Sequence, residues 1–317
     1  MEVTKISEIK NFEYIKKSVL HDIRQSNQWV EFFKQIGWNS FTLSNGSNFF
    51  YIKTILGTFA KTARTIKLTQ KDIDQLDQLC KKHKISFLKL DPSIDQDIQL
   101  LKNNNFIKNI NPLAPTIVQM IDLTNSLDDI FKDFSKSAKY GIKRGIKEKT
   151  KVDFIKNPTT KQLQDFYYKV QKPRADKTKY NVPNVNETIK RTQLFKENVI
   201  LSFFYNNNNQ LCGGKLYYLY QDMAYYIFGG TTEIGAKDKS GYVQMWESIK
   251  YFKNLNIKVL NLDGIFDTRY KDSLYKWKGF SDFKLKFGGK LIIYPDSYTK
   301  FYGKIYNKLP LNIKQTL

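Results

Sequence analysis

The sequence predicts an α+β protein made of two similar mixed-sheet domains related by internal duplication. Three observations carry this expectation. Residues 79–91, LCKKHKISFLKLD, and 251–263, YFKNLNIKVLNLD, align at a constant spacing of 172, matching Lys81 with Lys253, Ile85 with Ile257, Leu88 with Leu260, Leu90 with Leu262 and Asp91 with Asp263. An amphipathic helix pattern lies upstream of each copy (Ile73, Leu76 and Leu79, then Met245, Ile249 and Phe252), and strand-like runs precede that, so strands, helix and Asp-terminated strand recur in one order. Finally, 317 residues that are 41% hydrophobic and 15% aromatic suffice for two cores.

The elements follow along the chain. An N-terminal helix leads into strand signals at SFTL and NFFYIKTIL; the first repeat helix and its strand come next, then a second helix and the turn of LLKNNNF ending at Phe106. These define a first domain over 1–130. The stretch 134–149, FSKSAKYGIKRGIKEK, holds six basic residues and one acidic residue. On a helical wheel Phe131, Phe134, Ala138, Ile142 and Ile146 form an apolar stripe, with Lys132, Lys136, Lys139, Lys143 and Lys147 beside it. Gly141 and Gly145 each cost a helix interior about 1 kcal/mol relative to Ala, so their placement on the edge of the buried face predicts a close backbone approach. This segment, 131–150, is expected to be a connecting helix. The second domain, 151–289, shows strands at NVILSFFY, CGGKLYYLY and MAYYIFGG, separated by NNNNQ and QD, and its repeat strand is followed by YKWKGF, ending at Phe280. Residues 290–317 are expected to pack back on the first domain.

Charge narrows the function. The net charge of +22 suits a polyanionic partner. Only six of the 52 basic residues are arginine, a bias that an AT-rich genome produces unaided; arginines retained despite it mark places where a planar bidentate donor matters, and Arg144 and Arg174 are two of them. The opening MEVTKISEIKNFEYIKK has no signal-like apolar run, and no segment approaches the roughly 18 apolar residues of a membrane span, which reads as a soluble cytoplasmic protein. Cys80 and Cys212 lack metal or disulfide spacing and read as small buried apolar residues. His21 and His83 lie outside every motif.

Several segments, taken in order, resemble the FemABX family, bacterial enzymes that use aminoacyl-tRNA to extend the stem peptide of peptidoglycan precursors. SKSAKYGIKRGIKEKTKVDF resembles its basic signature helix, and RQSNQWVEFFKQIGW (Arg24 to Trp38) its Gln-Ser, Trp and Lys pattern. DFYYKVQKPR (165–174) resembles a family helix ending in Arg. AYYIFGG (224–230) with MWESIKYFKNLNIKVLNLDGI resembles the tyrosine strand, Trp helix and Asp-Gly strand end, and FKLKFGG (283–289) the Phe-Lys-x-x-Phe-Gly element. The family fold is two tandem GNAT-like acyltransferase domains, in agreement with the repeat. The chain has no room between Lys172 and Val199 for the family's coiled-coil arm, which places it nearer the compact members and leaves the acceptor open.

The resemblance implies an aminoacyltransferase for cell-wall cross-bridge formation, with aminoacyl-tRNA as co-substrate, no cofactor and no metal. The expected acceptor is a UDP-linked or lipid-linked muropeptide, with peripheral membrane contact in the lipid-linked case, and the expected state is a monomer. Transfer from an ester to an amine is downhill, so the site has to orient two reactants and stabilise a tetrahedral oxyanion, with no protein nucleophile. By the resemblance Lys284, beside Phe283, is the candidate for that oxyanion or the terminal adenosine. Lys34, Arg174, Tyr226 and Phe228 are expected at the precursor site, with Lys34 and Arg174 on phosphate or carboxylate groups. Tyr180 is a further hydroxyl near Arg174, and Tyr225 and Tyr226 alternate faces so that one of them turns into the core. Asp263, at a strand end before Gly264, is the candidate general base, whereas Asp91, followed by Pro92, reads as structural. Lys136, Lys139, Lys143, Arg144 and Lys147 are expected to contact the tRNA acceptor stem through phosphates.

Two other classes compete. A CoA-dependent N-acyltransferase needs a Gly-rich pyrophosphate loop, and GGTTEIGAKDKSGYVQ lacks the Arg/Gln-x-x-Gly-x-Gly/Ala spacing. A non-enzymatic RNA-binding protein is compatible with the charge alone and predicts that Lys284 has no catalytic role.

Overall fold

The protein is described from a computed structural model that covers residues 20–179, 181–303, 306 and 308–316. Helix α1 (Asn27–Gln35) leads into strands β1 (Asn39–Thr42), β2 (Asn48–Thr54) and β3 (Gly57–Ala63), followed by α2 (Gln70–Lys82), β4 (Ile85–Asp91), α3 (Ile98–Asn103) and β5 (Ile107–Asn109). Then come β6 (Ile117–Asp122), α4 (Leu127–Lys132), α5 (Lys136–Lys147), β7 (Lys151–Lys156), α6 (Thr160–Phe166), a single π turn (Tyr167–Gln171), α7 (Lys172–Thr178) and α8 (Val185–Phe195). A second set of strands, β8 (Val199–Tyr205), β9 (Leu211–Tyr220) and β10 (Met223–Thr231), precedes α9 (Glu233–Lys237), α10 (Ser240–Asn254) and β11 (Val259–Gly264). The chain ends with α11 (Lys271–Leu274), α12 (Lys278–Lys284), β12 (Lys290–Ile293), β13 (Ser297–Phe301) and α13 (Leu311–Thr316). Helix starts follow local chemistry: Thr69 and Asp72 form a reciprocal capping box on α2, Thr159 and Gln162 another on α6, and the Ser135 hydroxyl accepts the Ala138 N–H at the start of α5.

Two mixed sheets result, in the order β1-β2-β3-β4-β13-β5 and β12-β6-β11-β10-β9-β8-β7. The expected duplication is visible in both. Each has an antiparallel meander whose last strand runs parallel to the strand that follows the repeat helix, β3 beside β4 and β10 beside β11. On the far side of that parallel pair comes an antiparallel strand, β13 against β4 and β6 against β11. The origin of these two strands could not be read from the repeat: β6 follows β5 in the chain yet enters the second sheet, and β13 follows β12 yet enters the first. These are two units of one topology, and in each one strand is supplied by the chain that leaves the other.

The chain accordingly divides into one unit made of the chain up to Ile117, Asp267–Tyr275 and the residues from Ile293 on, and a second made of Val118–Phe266 and Lys276–Ile292. The first core gathers Phe49, Leu68, Ile73, Leu76, Cys80, Leu88 and Leu90 between α2 and its sheet. The second gathers Ile142, Tyr217, Met245, Ile249, Phe252, Leu260 and Phe287.

The boundaries differ from expectation at the basic segment. Helix α5 lies inside the second unit, packed on α10, instead of forming a separate connector at 131–150. Its glycines account for this: a Cβ on Gly141 would lie 2.7 Å from the Tyr242 ring, and one on Gly145 would run into the Val243 side chain. Because Gly145 occupies the contact, the next residue is rotated by about 100° and Ile146 is 56% exposed, so the apolar stripe stops at Ile142. Among the described residues no helix is long and apolar enough to cross a membrane.

Candidate active site

Strands β10 and β11 pair over Met223–Tyr225 and Val259–Asn261 and then part. Each is also irregular at that point against its outer neighbour: β10 bulges between Tyr226 and Phe228, and β11 loses register between Asn261 and Gly264. In the second irregularity Asp263 takes a left-handed conformation (φ 58°), its N–H bonded to the Asn261 side chain at 2.7 Å. The parted ends, Tyr226–Gly229 and Asp263–Gly264, line an open pocket of about 860 Å³, mouth included, within the second unit. Gln171, Arg174, Ala175 and Thr178 form its helical wall, at the i, i+3, i+4 and i+7 positions of one face; Trp277, Phe280 and Lys284 close the other side.

Lys284 ends α12 and is only 8% exposed. Its Nζ donates to the Gly264 carbonyl at 2.9 Å and lies 4.8 Å from the Phe280 ring centre and 5.4 Å from that of Tyr226. Burial lowers its pKa to about 8, opposed by the Asp263 carboxylate. A second buried cation, which the sequence reading missed, stands behind it. Lys215 of β9 is 3% exposed, its Nζ 4.0 Å from the Met245 sulfur and 5.1 Å from the centre of the same Tyr226 ring. Burial, reinforced by the Lys284 charge, pulls the Lys215 pKa well below the ordinary lysine value. Its signal in the sequence was a lysine inside the near-continuous apolar run CGGKLYYLY. Burial pushes the Tyr226 phenol upward, so this hydroxyl stays protonated as a hydrogen-bond donor.

The structure thus brings Lys284, Asp263, Arg174, Tyr226 and Phe228 to one pocket. Tyr226 is the member of its pair that lines it; Tyr225, on the opposite face of β10, is the one that turns into the core, so of the two tyrosines considered for the substrate site only Tyr226 is at the pocket. Phe283 is also corrected. It is absent from the lining and packs on Tyr242 and Phe287, about 100° round the helix from Lys284. Lys34 belongs to the first unit, where it borders a depression with Trp38, Asn39 and Tyr51, its Nζ 3.8 Å from Glu31; the helix α1 that carries it is no part of the pocket. Tyr180 lies outside the described residues. On α5, Lys136, Lys143 and Lys147 are exposed, whereas Lys139 donates to the Lys132 carbonyl at 2.8 Å and Arg144 is engaged with Glu148 at 2.6 Å. Arg191 of α8, also missed, is buried with its guanidinium 5.2 Å from the Phe228 ring centre, which fixes that wall of the pocket. The last glycines of FKLKFGG, Gly288 (φ 63°) and Gly289 (φ 79°), make the turn that lays β12 beside β6; a Cβ on Gly289 would strike the Met120 carbonyl.

No protein-family model and no curated protein matches the sequence. Among solved structures the chain is similar to FemX (TM-score 0.74, 13% identity, covering 98% of this chain and 99% of that one). It is also similar to the C-terminal domain of a putative lysylphosphatidylglycerol synthetase from Agrobacterium fabrum (0.58, 10%, covering 87% and 89%). A third is L-PGS from Bacillus licheniformis (0.58, 9%, covering 92% and 95%). At these identities the likeness establishes the fold.

Proposed function

We propose that this protein is an acyl-group transferase, and specifically an aminoacyltransferase that takes an amino acid from aminoacyl-tRNA and joins it to an amine on the stem peptide of a peptidoglycan precursor, UDP-linked or lipid-linked. The observation that carries the reading is Lys284: a buried ammonium whose pKa is lowered to about 8, at the back of a pocket with Arg174 at its wall and with no Cys, His or Ser among its lining residues. Such a site suits direct transfer. The acceptor amine attacks the ester carbonyl, the C–N bond forms, the Lys284 ammonium stabilises the oxyanion, and the C–O bond to the ribose then breaks. Asp263 takes the proton lost by the amine and returns it to the departing ribose oxygen. Arg174 holds an anionic group of the acceptor, and the exposed Lys136, Lys143 and Lys147 of α5 hold tRNA phosphates. The FemX-like fold supports the reading, as does the ordered set of sequence motifs. No cofactor is required in this scheme, and lipid-linked acceptors would bring the protein to the membrane surface.

The test is incubation with labelled aminoacyl-tRNAs and a UDP-linked muropeptide, with acetyl-CoA as the control donor. A mass gain of one amino-acid residue on the muropeptide is expected; transfer that depends strictly on acetyl-CoA overturns the proposal.

A further inference from the structure

The helical wall of the pocket contains a group that the scheme above leaves unused. Gln171 is 3% exposed and lines the pocket, and neither its Oε1 nor its Nε2 has a hydrogen-bond partner among the described residues. Gln119 and Gln244 are also buried with an unbonded Oε1, but each uses its Nε2 fully, Gln119 toward the Lys284 and Gly288 carbonyls and Gln244 toward Ser202, Tyr217 and Ser248. Gln171 alone among these buried glutamines is unmatched at both ends. Burying polar atoms without partners opposes folding, so nothing in the fold explains a glutamine here where leucine would fit. The backbone is unusual at the same place: the Lys172 N–H bonds to the Tyr167 carbonyl five residues back, and Gln171 is the last residue of this π turn, a device concentrated at functional sites.

The missing partner can be specified chemically. A carboxylate or phosphate would satisfy Nε2 and leave Oε1 facing another negative oxygen; an ammonium would satisfy Oε1 and leave Nε2 bare. A secondary amide offers an N–H to Oε1 and a C=O to Nε2 together. Arg174, one turn further along the same helical face, supplies the charge that an anion would use. We infer that Gln171 is a specificity-determining residue that pairs with a –CO–NH– group of the acceptor, either a peptide bond of the stem or the N-acyl group of the sugar. This rests on the acceptor being a muropeptide.

The test uses the full chain and its Gln171→Leu variant, titrated calorimetrically with three probes: the UDP-linked muropeptide, its free stem peptide, and the UDP-linked N-acetyl sugar without peptide. Muropeptide affinity is expected to fall about tenfold or more in the variant, since the ligand's amide loses both partners in a desolvated wall. One fragment should show the same loss and so identify the amide. The ligand-free variant should melt about 2 °C or more above the natural protein, because an unsatisfied amide has been replaced by a hydrocarbon. A variant that binds muropeptide as tightly as the natural protein overturns the inference and leaves the proposed function standing. A variant that melts lower than the natural protein also overturns it, since the amide would then serve the fold. If the natural protein binds no muropeptide, both fall.

Discussion

The two halves of the repeat place an aspartate at the same point and use it in opposite ways. In the first unit β3 stays paired with β4 from Thr58 to Ala63 and as far as Asp91, and the strand ends are closed by buried side chains. Asp91 accepts the Ala114 N–H at 2.7 Å, while Arg64, whose own N–H bonds to the Asp91 carbonyl, lies 3.2 Å from the Tyr294 ring centre and donates to the Pro115 carbonyl. In the second unit β10 leaves β11 after three pairs, and Asp263 faces a pocket. A duplicated framework therefore does not carry function with it. What separates a plugged end from an open one is the pair of irregularities, at Tyr226–Phe228 and at Asn261–Gly264, that keeps the parallel strands from zipping shut.

The comparison can be broken first at the level of the sheets. Since β13 sits between β4 and β5, removing the residues from Ile293 on takes out an inner strand and splits the first sheet. We expect that unit to lose its cooperative transition entirely, seen as loss of near-ultraviolet circular dichroism and rapid proteolysis within 20–117; a truncated chain with that region still protected would show the strand to be dispensable. Next comes chemistry. Lys284→Met should lower turnover about 10²- to 10³-fold at unchanged stability or better, as expected for removing an oxyanion partner that is costly to bury. Asp263→Asn, a residue that tolerates the left-handed backbone, should remain folded and lose about 10²-fold in turnover. Asp91→Ala should do the reverse, costing about 1–3 kcal/mol of unfolding free energy because the buried Ala114 N–H loses its acceptor, with turnover per folded molecule unaltered. Denaturant titrations and single-turnover assays on the same preparations separate the two patterns. If both aspartates affected stability alone, the distinction between plug and pocket would be wrong.

Legibility in the sequence follows the same division. The repeat, its helices and the strands SFTL, NVILSFFY and MAYYIFGG were readable because apolar periodicity is a local property that packing only reinforces. The partners of β6 and β13 were not, since strand exchange between sheets leaves no trace in a one-dimensional pattern. At the site, Lys284, Asp263 and Arg174 could be proposed from motifs, and Tyr226 as one of two alternating tyrosines. Choosing between Tyr225 and Tyr226 required the core side of β10, and Phe283 went astray because neighbouring positions in a motif point in different directions on a helix. Gln171 and Lys215 were passed over for one reason. Their meaning lies in what surrounds them, a wall with no partner and a desolvated face, and neither is encoded within a few residues along the chain.

The smallest effect is the most diagnostic, because it reads the Lys284 proton directly. With a pKa of about 8, its ammonium is present below that pH and lost above it, so turnover should fall through an alkaline limb centred near pH 8. The acceptor amine titrates in the opposite sense, gaining its reactive free form as pH rises, and the limb is therefore best isolated by difference. Lys284→Arg keeps the cation at all accessible pH and should abolish the limb. Asp263→Asn removes the carboxylate that holds the Lys284 pKa up, and should move the residual limb to lower pH. Stability must run the other way. The lysine pKa in the folded protein lies below its unfolded value of about 10.4, so between those limits the unfolded chain binds more protons, and unfolding free energy rises with pH across that window as the cost of burying the charge is relieved. Lys215, whose pKa is also depressed by burial, contributes a stability rise of its own over this interval, so the Lys284 share is the part of the slope lost in Lys284→Arg. An alkaline limb in turnover and a share of the stability slope that both vanish in Lys284→Arg are a signature that a solvated surface lysine cannot produce; a pH–rate profile identical in the natural protein and Lys284→Arg would remove Lys284 from the chemistry.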